Sequence, residues 1–343
     1  MTQDTRTPTP TTEQIERAAT MLRRHLARLE ELFAGRELEQ PFYLQGISGL
    51  GHSDTGIESA AWVAAAGRSC LAQIDRMNDP IVFRPMVIEY SPYGVHFVDR
   101  ILGARVRYVE GQWWTDPIDG PIGELRPPDL SRNATWQYAK RAGRAFLRHN
   151  PPLVTFSLPT IASSLNIGVN LYGERLLAAL LEQPEAAARD LATINDVLRK
   201  LHGWFRTRIP ADRLQPVVGA QRFMPPGRGQ ICGCSTHLLS AETYRRIVAP
   251  LDALLLRSYP RPGMIHLCGS HTQHIPTWRD MEHLGAVQLN DQATDDLPAY
   301  VNDLRPDQVI YVVPTAKTPA REALRIAGRH PIVIIGEPDD PET

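Results

Sequence analysis

The chain has 343 residues, 43% of them hydrophobic and 22% charged, and this length fits either one large α/β barrel or two smaller domains. The formal net charge of -1 argues against a protein that binds nucleic acid through its overall charge. No run of 18 or more apolar residues is present, which excludes a membrane-spanning helix, and the polar first residues lack the apolar segment of a secretory signal. We therefore expect a cytoplasmic protein that associates with neither nucleic acid nor membrane.

The N-terminal region divides into a tail and a helix. Residues 1–11 are polar and rich in Thr and Pro, which predicts a disordered tail. From Thr12, apolar residues recur at steps of three and four, which predicts an amphipathic helix that ends at Gly35. We expect residues 12–40 to form a helical extension and residues 41–343 to form a single domain.

Eight short hydrophobic runs follow, most of them separated by segments with helical periodicity. The runs are FYLQGIS (42–48), IVFRPMVIEY (81–90), LVTFSLP (153–159), LQPVVGA (214–220), GMIHLCG (263–269), AVQLND (286–291), VIYVVP (309–314) and IVIIGE (332–337). Strands that alternate with helices are typical of parallel βα units, and eight such units predict a (β/α)8 TIM barrel. Residues 104–118 do not fit this alternation, and we interpret them as a hairpin inserted after the second strand.

Barrel enzymes carry their catalytic groups at the carboxyl ends of the strands, so polar residues after each run are candidates. The acid–base candidates are His52, Asp54, Glu89 and Asp291. Arg222 could bind a carboxylate, because its planar guanidinium matches that group better than a lysine does.

Two pairs of potential metal ligands are more specific. His266 and Cys268 alternate on one predicted strand, so both side chains leave the same face. Cys232 and Cys234 form a second alternating pair, which we place in the loop after the preceding strand. A catalytic zinc has three protein ligands and one open position, so His266, Cys268 and one of the other two cysteines would suffice. A substrate thiol or water would take the fourth position.

Other interpretations of these residues remain open. Cys232 and Cys234 could be small residues at a tight turn around Gly233, and Cys268 could be a buried apolar residue. Asn290 and Asp291 are alternative oxygen ligands, and Asn290 is also a candidate for substrate binding.

Two further residues complete the set of candidates. His271 lies one helical turn before another histidine and is either a ligand, a supporting residue or, as we favour, part of the substrate site. Cys70 lies in an alanine-rich helix and is expected to be structural.

The segment MIHLCGSHTQHIPTWRDMEHLGAVQLND (264–291) resembles the uroporphyrinogen decarboxylase superfamily, in which a strand ends in His-x-Cys-Gly and the next ends in an acidic residue. SAETYRRIVAP (240–250) and LNIGVNLYGERLLAALLEQPEAAARDL (165–191) resemble two further stretches of that superfamily. The resemblance covers roughly residues 80–335. It implies a TIM barrel.

The motifs separate the branches of this superfamily. True uroporphyrinogen decarboxylases have an Arg-Gln-Ala-Gly-Arg motif where this chain has LQGISGLGHSD (44–54). The His-x-Cys pair instead resembles the branch of zinc-dependent methyltransferases that act with methylated corrinoids, which hold zinc through this pair and a distant C-terminal cysteine. No cysteine follows Cys268, so either Cys232 or Cys234 replaces that ligand or the site holds no zinc.

Two enzymatic functions are compatible with these residues. The first is a methyltransferase that moves a methyl group to a zinc-activated thiol from a corrinoid-type or other methylated donor. A partner protein would carry the corrinoid. Such an enzyme could also be a homodimer. The second is a metal-free decarboxylase or lyase that acts on a carboxylate substrate through Arg222 and the acid–base candidates. A non-enzymatic carrier of a metal or corrinoid is disfavoured, because no Asp-x-His-x-x-Gly signature is present.

Overall fold

Each of the eight predicted hydrophobic runs contains at least one β-strand. The structure, a computed structural model, describes residues 9–50, 59–160, 162–216 and 219–338. The strands within these ranges are β1 (Phe42–Leu44), β2 (Ile47–Ser48), β3 (Val82–Phe83), β4 (Met86–Ile88), β5 (Val106–Val109), β6 (Gln112–Thr115), β7 (Val154–Ser157), β8 (Leu214–Gln215), β9 (Arg228–Cys232), β10 (Arg261–Cys268), β11 (Leu284–Asn290), β12 (Val309–Val312) and β13 (Ile332–Ile335). Strands β1 and β2 lie in one predicted run, and β3 and β4 lie in another, so the number of strands exceeds the number of runs.

Helices separate most of the strands, as the periodicity predicted. They are α1 (Thr12–Phe33), α2 (Ser59–Leu71), α3 (Phe97–Ile101), α4 (Ala134–His149), α5 (Ser164–Tyr172), α6 (Glu174–Glu182), α7 (Pro184–Arg206), α8 (Ala241–Thr243), α9 (Ala249–Leu256), α10 (Ile275–Asp280), α11 (Gln292–Asp295), α12 (Leu297–Asp303) and α13 (Ala320–Ala327). A π-helical turn, Tyr244–Val248, joins α8 to α9. No helix in the described ranges is long and apolar enough to cross a membrane.

All of these strands except β5 and β6 form two parallel sheets. The seven-stranded sheet has the order β3-β1-β13-β12-β11-β10-β9, and the four-stranded sheet has the order β2-β4-β7-β8. Backbone hydrogen bonds from Gln45 N to Phe83 O (2.9 Å) and from Ile47 N to Pro85 O (2.8 Å) continue the pairing from one sheet to the other. The fold is therefore α/β with parallel strands. Among the described residues no ladder joins β8 to β9, so the closed barrel stays a prediction.

Helix α1 begins and ends as the sequence indicates. The Thr11 hydroxyl accepts from Gln14 N, and the Gln14 side chain accepts from Thr11 N, which completes a capping box. After the helix, Gly35 adopts a φ of +70°, a conformation that favours glycine. The buried face of α1 includes Leu29 and Leu32, which join a hydrophobic cluster under the large sheet.

The excursion between the second and third runs is a hairpin, as predicted. Strands β5 and β6 pair antiparallel, with Tyr108 opposite Trp113. The Trp113 ring also contacts Tyr93, at 5.0 Å between ring centroids, which anchors the hairpin to the loop after β4.

Strand β9 corrects the predicted position of Cys232. The sequence places Cys232 in a loop, but it is the last residue of β9, which pairs in parallel with β10. The strand has few apolar residues and is nevertheless buried. Its Arg228 guanidinium lies 4.0 Å from the Phe33 ring centroid and donates to Pro262 O at 2.7 Å. A Cβ at Gly229 would lie 2.5 Å from the Tyr259 ring, so glycine is required for this close packing.

Candidate metal centre

The parallel register of β9, β10 and β11 brings the candidate ligands to one edge of the sheet. His266 on β10 is paired with Cys232 on β9 and with Gln288 on β11. Two residues further on, Cys268 is paired with Asn290. Because alternate residues of a strand face the same side, His266 and Cys268 lie on one face of the sheet, beside Cys232, Gln288 and Asn290 on the adjacent strands.

Three ligand atoms converge. Cys232 Sγ, Cys234 Sγ and one imidazole nitrogen of His266 all lie within 4.8 Å of one another. Cys268 is outside this mutually close group, although its Sγ lies 3.1 Å from His266 Nε2. The structure therefore brings three of the four predicted residues together and places the fourth, Cys268, against His266; the role of all four as ligands stays a prediction.

Cys234 reaches the cluster because the chain turns sharply after β9. Gly233 N donates to His266 O at 2.7 Å, and Cys234 then begins a 3-10 turn, Cys234–Leu238. A Cβ on Gly233 would lie 2.7 Å from the terminal methyl groups of Ile265 and Leu267, so a larger residue here would require these side chains to shift.

Hydrogen bonding determines which nitrogen of His266 faces the sulfur atoms. Gln288 Nε2 donates to Leu289 O at 3.0 Å, so the Gln288 amide oxygen is directed at the imidazole. His266 Nδ1 donates to that oxygen. Nε2 is consequently the nitrogen beside Cys268 and the one available to a metal ion.

The sulfur atoms share protons. Hydrogen bonding with the Cys234 thiol lowers the pKa of Cys232 and that of Cys268. The same hydrogen bonding raises the pKa of Cys234. Burial lowers the pKa of His266, but the hydrogen bond to Cys268 and the charge on Cys232 outweigh it and raise the pKa overall. A metal cation would displace these shared protons, because it binds thiolate and neutral imidazole.

His271 supports the cluster from behind. The Cys268 carbonyl can only accept a hydrogen bond, so the contact at 2.6 Å places a proton on His271 Nε2. The Thr236 hydroxyl, which donates to Gly233 O at 2.8 Å on the turn that carries Cys234, lies 2.9 Å from His271 Nδ1. Burial lowers the pKa of His271 to about 4, so the ring is neutral at physiological pH. It is not among the residues that line the cavity described next.

The cluster opens into a cavity of about 620 Å³. Four groups of side chains line it, from strand ends, from α5 and from loops: the cysteine–histidine cluster, the amides beside it, one arginine and several apolar side chains. They are Cys232, Cys234, His266, Cys268, Gln288, Asn290, Asn166, Asn170, Gln221, Arg222, Val95, Ala162, Ile167, Val313 and Ile335. A concave lining that combines apolar side chains with convergent polar groups is typical of a small-molecule site.

Two predicted substrate-binding residues line this cavity. Asn290 Nδ2 lies 3.8 Å from Cys268 Sγ and 3.0 Å from Asp291 Oδ2. Burial lowers the pKa of Arg222, and the nearby Cys232 and Glu89 oppose that effect. Arg222 therefore places a positive charge beside the sulfur atoms.

The acid–base candidates are less clearly connected to the cluster. Glu89 accepts from the Ser48 hydroxyl at 2.5 Å and from Ala220 N at 2.6 Å, and it does not line the cavity. Asp291 is exposed after β11. His52 and Asp54 lie outside the described residues. The catalytic assignments of all four stay predictions.

Two polar contacts of the cluster were missed by the sequence analysis. Gln288 could have been recognised from its alternation with Asn290, which matches that of His266 and Cys268 on the neighbouring strand. Asn166, near the start of α5, donates to Cys232 Sγ at 3.5 Å. No spacing in the sequence indicates this second contact, because it joins segments 66 residues apart.

The donor set fits zinc. Sulfur and imidazole ligands in a mutually close group are the combination that zinc prefers, whereas magnesium and calcium require oxygen ligands. Cys232, Cys234 and His266 could hold the ion. Cys268 or a substrate could complete the four positions.

Comparisons with known proteins identify the fold. No protein-family model matches the chain, and no curated protein matches it in sequence. Among solved structures, the chain is similar to a methyltransferase from Methanosarcina mazei, with a TM-score of 0.63 and 10% sequence identity. The match covers 92% of this chain and 94% of that one. The protein thus shares its fold with a methyltransferase over nearly its whole length.

Proposed function

We propose that the protein is a zinc-dependent methyltransferase that transfers a methyl group to a thiol at the cysteine–histidine cluster. The observation that carries this proposal is the convergence of Cys232, Cys234 and His266 within 4.8 Å of one another at a cavity wall. The shared fold with a methyltransferase supports it. We also propose that the parallel strands close into the TIM barrel that the eight hydrophobic runs predict.

The residues of the cluster would hold and orient the metal. Cys232, Cys234 and His266 would bind zinc, and Gln288 keeps the His266 lone pair directed at the ion. Bound zinc lowers the pKa of a thiol ligand, so that the thiol is a nucleophilic thiolate at neutral pH.

The cavity around the cluster would position the substrate. The amides of Asn166 and Asn290 donate toward cluster sulfur atoms at 3.5 and 3.8 Å, which stabilises negative charge on sulfur. Ile167 and Val313 provide apolar surface that limits the access of water to a methyl group. Because the volume of about 620 Å³ is modest, we propose that the methyl donor is a corrinoid presented by a partner protein at the cavity mouth.

Arg222 favours a second candidate function, a metal-free decarboxylase. Its guanidinium lines the same cavity and could bind the carboxylate of a substrate. This alternative does not explain why three cysteines surround one histidine, so we rank it second.

Zinc content and methyl transfer test the first candidate together. The zinc-loaded wild-type protein should contain one zinc per chain and should demethylate methylcobalamin in the presence of 2-mercaptoethanol. Cys232→Ala and Cys234→Ala should lose zinc and activity. Cys70→Ala is the matched control, because Cys70 is fully buried in α2, away from the cluster.

Release of carbon dioxide from a panel of carboxylates, with no zinc in the protein, would favour the decarboxylase instead. Wild-type protein that shows no methyl transfer after zinc has been supplied would overturn the proposed methyltransferase.

A further inference from the structure

A buried carboxylate–imidazole pair lies beside the same cavity. His96 Nδ1 is 2.8 Å from Asp99 Oδ2. The Asp99 side chain is fully buried, whereas that of His96 is 15% exposed. No motif in the sequence indicates either residue.

Hydrogen bonds orient the pair. The Thr115 hydroxyl donates to Asp99 Oδ2 at 2.7 Å, and Asn170 Nδ2 donates to the same oxygen at 2.9 Å. A carboxylate oxygen that faces an imidazole nitrogen accepts its proton, so His96 Nδ1 carries the hydrogen. In the neutral ring the lone pair is therefore on Nε2.

This lone pair is accessible. Within the described ranges Nε2 has no hydrogen-bond partner, and it is not among the buried polar atoms. A base whose other nitrogen is fixed by a carboxylate is the arrangement that enzymes use to abstract protons from nucleophiles.

Helix α5 connects the pair to the metal cluster. Asn166 contacts Cys232 Sγ, and Asn170 contacts Asp99. The two asparagines are four residues apart, so they share one face of the helix, about 6 Å apart along its axis. Both line the cavity, as does Val95, whereas His96 and Asp99 lie directly behind this part of the cavity wall.

The hairpin that interrupts the βα alternation holds this pair. Thr115 of β6 supplies one of the hydrogen bonds to Asp99, and Trp113 packs against Tyr93. Tyr93 has a φ of 64°, a left-handed conformation that is uncommon for residues other than glycine and often occurs near functional sites.

We propose that His96, oriented by Asp99, is the general base that accepts the proton of the thiol substrate in this cavity. The inference rests on the proposed methyl transfer. In the step, the S–H bond breaks, the proton passes to the lone pair of His96 Nε2, and the bonding electrons remain on sulfur. The thiolate then takes the methyl group, and the electron pair of the broken bond stays with the donor.

Three variants test the proposal in the zinc-loaded full-length protein, with methylcobalamin and 2-mercaptoethanol as probes. His96→Gln should reduce the rate of methyl transfer by about 10²- to 10⁴-fold. Its zinc content and melting temperature should stay near those of the wild type. Asp99→Asn should cause a similar loss of rate. His149→Gln is the matched control, because His149 is exposed at the end of α4.

A measurement that does not depend on turnover tests the same claim. Nitrogen-15 NMR of the imidazoles should show His96 as the Nδ1–H tautomer in the wild type and as the Nε2–H tautomer in Asp99→Asn. Addition of 2-mercaptoethanol should shift the His96 Nε2 resonance and leave that of His149 unchanged. A purely structural role would not produce this response.

The outcomes separate the two proposals. A full rate of methyl transfer in His96→Gln, or an Nε2–H tautomer in the wild type, overturns the role of His96 and leaves the methyltransferase proposal in place. Absence of methyl transfer by the zinc-loaded wild type overturns both.

Discussion

His266 and Gln288 lie side by side in the parallel ladder of β10 and β11, and the imidazole Nδ1–H donates to the glutamine amide oxygen. This one contact directs the other imidazole nitrogen at the sulfur atoms. Hydrogen bonds of this kind orient metal ligands, and their loss commonly reduces metal affinity by 10- to 100-fold.

Gln288→Leu should therefore weaken zinc binding by about 10- to 100-fold while the fold is retained. Competition with a chromophoric chelator measures the affinity. Gln292→Leu is the control, because Gln292 is an exposed residue at the start of α11. Equal affinities for the two variants would show that Gln288 does not orient the ligand.

The thiol of Cys268 should react with iodoacetamide at an unusually low pH after zinc is removed with a chelator. Its pKa is lowered from the ordinary 9.0, first through hydrogen bonding with the Cys234 thiol. More of it is therefore thiolate near neutral pH, and its alkylation rate should depend less steeply on pH than that of an ordinary thiol. An ordinary thiol would react about tenfold faster with each unit of rising pH.

Cys70 is the internal reference in that experiment. Burial raises its pKa to about 12, so it should remain unmodified in the folded protein. Peptide mass spectrometry distinguishes the two sites. Alkylation of Cys268 that rises tenfold per pH unit would contradict the shared-proton arrangement.

Thr236 should be required to position the turn that carries Cys234. Its hydroxyl lies 2.8 Å from Gly233 O and 2.9 Å from His271 Nδ1, and the residue is buried. Thr236→Val leaves the Gly233 carbonyl without its hydroxyl donor and removes the polar contact with His271 Nδ1, at a cost of about 1–3 kcal/mol in the free energy of unfolding.

We also expect about tenfold weaker zinc binding in Thr236→Val, because the turn is less firmly held. Urea unfolding and chelator competition measure the two effects. Thr207→Val is the matched control, because Thr207 is exposed and lies after α7. Unchanged zinc affinity in Thr236→Val would restrict this threonine to stability alone.

The fold follows from the sequence more completely than the site does. Hydrophobic runs identify strands because buried parallel strands need apolar side chains on both faces. Strand β9 escaped detection because Arg228 and Gly229 are buried through a cation–π contact and close packing, which hydrophobicity does not report. The position of Cys232 opposite His266 follows from this missed strand.

In the site, residue type and alternation indicated the sulfur and imidazole groups of the cluster but not their supporting contacts. The Asn166 contact with Cys232 and the Thr115 contact with Asp99 join distant segments. Such contacts depend on strand register and on the placement of the hairpin. Neither leaves a periodic signal in one sequence.

Asp252 should make the stability of the protein depend on pH. It is fully buried, it accepts from the Tyr244 hydroxyl at 2.9 Å, and burial raises its pKa from 3.8 to about 7. A folded-state pKa above the unfolded value means that its contribution is fully present below about pH 4. That contribution is lost as the pH rises through about 7.

Asp252→Asn should therefore be more stable than the wild type at pH 8, by a few kcal/mol in the free energy of unfolding, and should show a flatter profile between pH 5 and pH 8. Urea unfolding at several pH values measures this difference. Asp303→Asn is the control, because Asp303 is exposed at the end of α12. A profile for Asp252→Asn that parallels that of the wild type would contradict the assignment.

X-ray absorption at the zinc edge of the purified protein tests the metal centre most directly. We expect one zinc per chain, with sulfur ligands at about 2.3 Å and at least one nitrogen ligand at about 2.0 Å. The sulfur signal should decrease in Cys232→Ala and in Cys234→Ala, and it should be unchanged in Cys70→Ala. Protein without stoichiometric zinc, or zinc surrounded by nitrogen and oxygen alone, would contradict the proposed centre.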